Sequence, residues 1–155
     1  MLTKLERAFL AELSRQKVEY VVVGLSAAAL QGAVVVTQDV DLWFRDLGDP
    51  RIKKVLRKFK AAYVPPFGNN PPMFAGDAVD LFDIVVHMHG LGDFDDERKN
   101  VIKVKLGTVN VPVLSLERII ASKKALGRHK DKLVLRELTN TIKTLKTRRP
   151  TAARG

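Results

Sequence analysis

Two aspartates, Asp39 and Asp41, stand one residue apart in the stretch TQDVDLWF, alternating with Val40, Leu42 and Phe44. A strand has a side-chain period of two, so both carboxylates fall on one face and the apolar residues on the other. Like charges held that close repel, and a divalent cation relieves the repulsion. Just upstream, the β-branched run Val21 to Val23 ends at Gly24 and gives way to the Ala-rich segment Ser26 to Leu30. The run reads as a buried strand and the segment after it as a helix. Gly24 can take backbone angles closed to other residues and lets a ligand approach the turn. A helix starting there offers unpaired N–H groups to an anion such as phosphate. The whole stretch therefore offers a phosphate cradle followed by a metal-binding carboxylate pair.

A second acidic strand is expected over residues 79–86, with Asp80 and Asp83 embedded in it. Alternation places Asp80 with Phe82 and Ile84, and Asp83 with Val79, Leu81 and Val85, so one site can receive only one of the two. His87 and His89 alternate as well, but no third ligand at zinc spacing accompanies them, and they read as strand-end residues.

The elements that must position these residues follow from periodicity. Leu2, Leu5, Phe9 and Leu13 recur at helical spacing, which predicts an amphipathic helix over residues 2–15 leading into a strand over 18–23. Asp49-Pro50 is a helix start, with Ile52, Val55, Leu56 and Phe59 forming one face of a helix to about Ala62. Residues 63–77 hold two Pro-Pro pairs and Gly68-Asn69-Asn70 and read as a long loop able to shape a pocket. Residues 90–97 read as a solvated acidic loop. The strands over 101–106 and 109–113 flank Gly107-Thr108, a tight-hairpin signature, with Lys103 and Lys105 on one face of an edge strand. Ser115 caps a helix over 116–126 that Gly127 ends, and a last helix over 130–146 buries Leu135, Leu138, Ile142 and Leu145.

With 155 residues and 46% apolar residues, the chain is expected to form a single domain over 1–147, followed by a basic tail over 148–155 that stays unstructured. The absence of cysteine excludes disulfides and any Cys-based metal site or nucleophile. No apolar run is long enough to span a bilayer and the N-terminus does not read as a signal peptide, so the cytoplasm is the expected compartment and no membrane partner is expected. The net charge of +10 is uneven: residues 1–98 carry −2 and residues 99–155 carry +12. A basic C-terminal third suggests a surface for polyanions, either nucleotide phosphates or a nucleic acid strand.

The segments VVVGLSAAALQG and TQDVDLWF together resemble the signature of the nucleotidyltransferase superfamily, the polymerase-β-like fold. The resemblance is strongest to its small bacterial branch of toxin–antitoxin and abortive-infection (AbiEii-like) nucleotidyltransferases. The segment LSLERIIASKKALGRHKD resembles the same branch, with Lys123, Arg128, Lys130 and Asp131 matching in order. The resemblance implies an α/β (α+β) fold, a mixed sheet with flanking helices and C-terminal helices. It implies transfer of a nucleoside monophosphate from an NTP to an acceptor hydroxyl with two Mg2+ ions. Asp39 and Asp41 would ligate the metals and Asp80 would complete the site, with Asp83 as the alternative. Gly24 and Ser26 would receive the triphosphate, Lys123 would neutralise phosphate charge with Arg128 beside it, and Asp131 would help form the site or orient its basic groups. The implied partners are the NTP, a tRNA or other nucleic acid acceptor, and an antitoxin or other partner protein. Leu25 stands where the family has a second Gly or a Ser, Val34-Val35 where relatives carry Pro-Arg, and Val134 in place of a recurring second Asp. These departures leave the carboxylates intact but weaken the cradle, which keeps open a catalytically degenerate scaffold that binds nucleic acid or a partner protein.

Overall fold

A computed structural model describes residues 2–153, with side chains through residue 147. The chain runs α1 (Lys4–Arg15), β1 (Tyr20–Val23), α2 (Gly24–Leu30), β2 (Val40–Phe44), α3 (Pro50–Lys58), β3 (Ala62–Val64), β4 (Met73–Ala75), β5 (Phe82–Val85), α4 (Phe94–Glu97), β6 (Val101–Leu106), β7 (Val109–Leu114), α5 (Leu116–Leu126) and α6 (His129–Ala153). Five strands form one mixed sheet in the order β5-β2-β1-β7-β6, and β3 pairs with β4 in a separate hairpin. β1 lies antiparallel to β2, while β2 runs parallel to β5 and β1 parallel to β7. The expected mixed sheet with flanking and C-terminal helices is the one observed. Among the described residues no helix is long and apolar enough to cross a membrane.

The periodic residues do most of the building. Thr3 and Glu6 close a reciprocal capping box that starts α1, and Phe9, Leu10 and Leu13 bury its inner face, whereas Leu5 lies outside it. Phe9 sits against Phe59, Phe74 and Phe82, with ring centroids 5.3 to 6.1 Å apart. That aromatic cluster joins α1 to the start of β5 and to the hairpin. The stretch expected to be a loop over 63–77 thus carries β3 and β4, because Tyr63 and Phe74 face each other and Phe74 is buried.

Three further differences from expectation have local causes. The acidic stretch 90–97 contains the single-turn α4, since Asp93 and Asp96 form a second capping box. The strand expected over 79–86 is shorter: Gly76 takes a φ of 139°, a one-turn 3-10 helix follows at Asp77–Val79, and β5 starts only at Phe82. Gly127 ends α5 in a left-handed conformation, as expected, but α6 continues past Lys146 to Ala153. Of its apolar residues Leu138 is buried, Leu135 and Ile142 are half-buried, and Leu145 is exposed. The side chains of the basic tail expected over 148–155 lie outside the described residues.

Glu97 ties α4 to α5. Its buried carboxylate accepts from Arg118 Nε at 2.7 Å and Nη2 at 2.8 Å, from Gly92 N–H and from the Asn100 amide. Arg118 beside it holds its pKa below the usual carboxylate range, so this contribution to stability is present at neutral pH and is lost as acid protonates the group. Arg118→Ala strands the carboxylate with two weaker donors and is expected to cost about 2 kcal/mol, discounted because the guanidinium is a third exposed. Urea unfolding at pH 7 measures it, and the cost should shrink near pH 4.

Candidate active site

The register of β2 against its neighbours creates the site. Asp41 lies opposite Val23 on β1 and opposite Asp83 on β5. Val40, Leu42, Phe82 and Ile84 point into the core from the other face, so the apolar alternation fixes where both carboxylates emerge. Burial, then the charge of Asp83, then that of Asp39 push the Asp41 carboxyl up to about 6, and only Lys123 opposes them. Asp83 is also raised, by partial burial first and then by the charge of Asp39 and a hydrogen bond with it. Three carboxylates, Asp39, Asp41 and Asp83, therefore share one electrostatic neighbourhood.

The third of these is Asp83 and not Asp80. Asp80 closes the 3-10 turn before β5 and is exposed, off the strand that carries the site. Parallel pairing begins at Val40 opposite Phe82, and Val40 N–H donates to Leu81 O at 3.0 Å, so the chain enters the ladder one residue after Asp80. The sequence does not separate the two: Phe82-Asp83-Ile84 and Val79-Asp80-Leu81 each set an Asp between apolar residues, as Val40-Asp41-Leu42 does, and only the strand register places Asp83 beside Asp41.

Gly24 and Ser26 hold Asp41 from the side of β1. Gly24 has a φ of 66°, and a Cβ built on it would lie 2.4 Å from Asp41 Oδ2. Glycine is required both by the backbone and by the carboxylate packed against it. Ser26 is fully buried; its hydroxyl donates to Val23 O at 2.8 Å and accepts from Asp41 N–H at 3.0 Å. That corrects the expectation that this hydroxyl meets a phosphate: it is spent on stitching the end of β1 and α2 to β2, and so on placing Asp41.

The basic side is built by the corner between α5 and α6. Asp131 is buried in the first turn of α6 and accepts from Arg128 Nε at 2.6 Å and Nη2 at 3.1 Å. Lys123 Nζ lies 3.6 Å from Asp131 Oδ1 and faces Asp41 closely enough to lower its pKa. Arg128 first, against some burial, and then Lys123 hold Asp131 below the usual carboxylate range, so it stays charged and anchors both cations. Lys130 is exposed next to them, with no ion-pair partner among the described residues. His87 and His89 stand apart as exposed residues after β5, their rings 6.4 Å apart.

Among the described residues no three acidic or histidine side chains already close on a common point as a metal cage. Holding an ion requires rotation of the Asp39, Asp41 and Asp83 side chains about their own bonds. The donor set is all carboxylate oxygen, which suits a hard cation such as Mg2+ and not zinc.

No family model matches the chain, and no curated protein does. Solved structures do. A presumed nucleotidyltransferase from Thermotoga maritima is similar, with 25% identity, 86% of this chain and 89% of that chain covered, and a TM-score of 0.62. ANT(2'')-Ia, in complex with adenylyl-2''-tobramycin, is similar over 94% of this chain and 91% of its own, at 12% identity and a TM-score of 0.59. An antigenic nucleotidyltransferase-like protein from Paracoccidioides brasiliensis gives 18% identity, coverages of 91% and 76%, and a TM-score of 0.58. The two more distant likenesses bear on the fold alone.

Proposed function

We infer that this chain, a nucleotidyltransferase of the polymerase-β-like superfamily, moves a nucleoside monophosphate from an NTP to an acceptor hydroxyl with Mg2+ held by Asp39, Asp41 and Asp83. The observation that carries the metal-site assignment is Asp41 beside Asp83 on adjacent parallel strands, with Gly24 against one carboxylate and Lys123 opposite. When bound, Mg2+ supplies positive charge where the α-phosphate and the attacking and leaving oxygens gather negative charge. The acceptor oxygen bonds to the α-phosphorus, the bond from that phosphorus to the bridging oxygen breaks, and pyrophosphate leaves. Asp83, the more exposed of the β-strand pair, is the carboxylate we assign to the acceptor, whose hydroxyl proton it would take. Lys123 Nζ neutralises phosphate charge, and Asp131 fixes its direction. Arg128 is spent mainly on Asp131 and serves the phosphates through the charge it adds.

The exposed residues Lys124, Arg128, Lys130, Lys132 and Arg136 continue the positive surface from Lys123 along the corner and α6. That surface favours a nucleic acid acceptor, tRNA included; a toxin-like role kept in check by an antitoxin partner rests on the sequence resemblance alone. A second reading, a degenerate scaffold that binds nucleic acid or a partner without catalysis, draws support from the committed Ser26 hydroxyl and from exposed Val34 where relatives carry part of a Pro-Arg pair.

Incubation with each α-labelled NTP, Mg2+ and total RNA or lysate tests the first reading, with Asp39→Ala/Asp41→Ala as the control. Label passing to a macromolecule and lost in the control identifies nucleotide and acceptor class together. Absence of both transfer and Mg2+-dependent NTP binding by calorimetry selects the scaffold. Within an active enzyme, Asp83→Asn is expected to lower transfer on the order of a hundredfold or more, and Asp80→Asn by less than about threefold. The reverse ranking would restore Asp80 as the third carboxylate.

A further inference from the structure

β6 ends the five-stranded sheet, three strand spacings from β2 and away from the carboxylates. Leu106 and Val109 face each other across the two-residue turn Gly107-Thr108, which makes them a narrow hydrogen-bonded pair. Alternation from that pair sends the N–H and C=O groups of Ile102, Val104 and Leu106 toward β7. It sends those of Val101, Lys103 and Lys105 outward, off the edge of the sheet. The two lysine side chains share one face of the strand, and Ile102 and Val104 share the other.

Beside the Ile102 and Val104 face lies a groove of about 250 Å³, walled on the far side by Leu116 from α5 and by Ile142 and Leu145 from α6. Ile102 and Leu145 are 43% and 38% exposed, so apolar surface continues off the strand into the groove. Lys146 stands at its rim. An edge lysine alone is a common way to discourage strand pairing. Here the lysines occupy only one face, and the other leads into a groove with apolar walls on β6 and α6 and polar groups from Gln31, Ser115 and Glu117 on the remaining side, whose apolar walls a paired strand would cover.

We propose that β6 is a docking edge for an extended partner segment of alternating acidic and apolar residues, which adds to the sheet as a sixth strand. Its carboxylates would lie beside Lys103 and Lys105, and its apolar side chains would fill the groove between β6 and α6. A second copy of β6 does not meet this description. Two-fold antiparallel pairing of β6 with itself sets lysines near lysines, and like charges opposite one another destabilise a ladder. A nucleic acid strand satisfies the lysines but leaves the apolar walls and the outward backbone groups without partners. The proposal stands apart from the nucleotide chemistry and does not depend on it.

The test uses the full chain and three probes in fluorescence anisotropy: a heptapeptide of alternating Glu and Val, a peptide of the same composition with its Glu residues clustered, and a single-stranded RNA heptamer. The alternating peptide is expected to bind at least about tenfold more tightly than the clustered one. Lys103→Glu with Lys105→Glu should cost it roughly tenfold and transfer the preference to an alternating Lys and Val peptide. Lys105→Pro removes an outward N–H without touching the bonds to β7, so it should weaken the peptide while circular dichroism and Tm stay near wild type. Equal binding of the two acidic peptides would reduce the effect to bulk charge. Preference for the RNA, full binding by the double Glu variant, or no saturable peptide binding below about 1 mM would each overturn the proposal.

Discussion

Asp41→Asn is expected to raise the stability of the metal-free protein while abolishing nucleotidyl transfer. Burial and the charges of Asp83 and Asp39 push Asp41 up to about 6, against an ordinary value of 3.8. Between those pH values the folded chain holds more protons than the unfolded one, so stability falls as pH rises through that window. Above about 6 the full penalty is in place, at most about 3 kcal/mol. Asn keeps the shape and carries no charge, so it should escape most of that penalty. In EDTA, Tm of the variant should exceed wild type at pH 7.5, and the gap should close below pH 4. Mg2+ should then raise the wild-type Tm and leave the variant nearly unmoved, because only the charged site gains by binding it. Transfer activity should fall on the order of a hundredfold or more. A variant less stable than wild type at pH 7.5 in EDTA would show that the carboxylates are not held in mutual repulsion. That would remove the electrostatic case for a cation here.

The same opposition between stability and site explains which parts of this structure could be read from the sequence. Local spacing points to Gly24, Asp39 and Asp41, because each sits in or beside an element whose periodicity is strong, whereas Lys123 and Asp131 are named by the resemblance of LSLERIIASKKALGRHKD to a family pattern. The choice between Asp80 and Asp83 was not local. Val79-Asp80-Leu81 and Phe82-Asp83-Ile84 look alike along the chain, and only the parallel register of β5 on β2 separates them. That register is set partly by Phe82, which must reach Phe9, and partly by Gly76, which turns the chain into a 3-10 helix before the strand can begin. Ser26 shows a different limit. A hydroxyl at a helix start beside a glycine turn suits a phosphate, but the sequence carries no sign that Asp41 N–H would arrive to claim it. The β3–β4 hairpin is hidden by its own turn residues: Pro and Gly in number signal a loop, while Phe74, buried against Phe9 and Phe44, packs that loop onto the core. Tertiary partners decided all three.

Gly24→Ala should separate the two demands on the Gly24 turn. A φ of 66° costs an alanine about 1–2 kcal/mol, whatever surrounds it. The added Cβ would also meet Asp41 Oδ2 at 2.4 Å, and the carboxylate, at the end of a side chain that can rotate, would yield before the backbone does. The loss of stability should therefore stay near the strain of the turn alone, while the displaced carboxylate should lower transfer on the order of a hundredfold and weaken Mn2+ binding measured by calorimetry. In an Asp41→Ala background the clash has no partner, so adding Gly24→Ala should cost only the strain and leave residual metal binding unchanged. A double-mutant cycle on metal affinity then gives a coupling between the two positions, whereas the same cycle on unfolding free energy should be close to additive. Activity of Gly24→Ala within about threefold of wild type would mean the carboxylate works from a rotamer clear of the turn, and would remove the role assigned to Gly24.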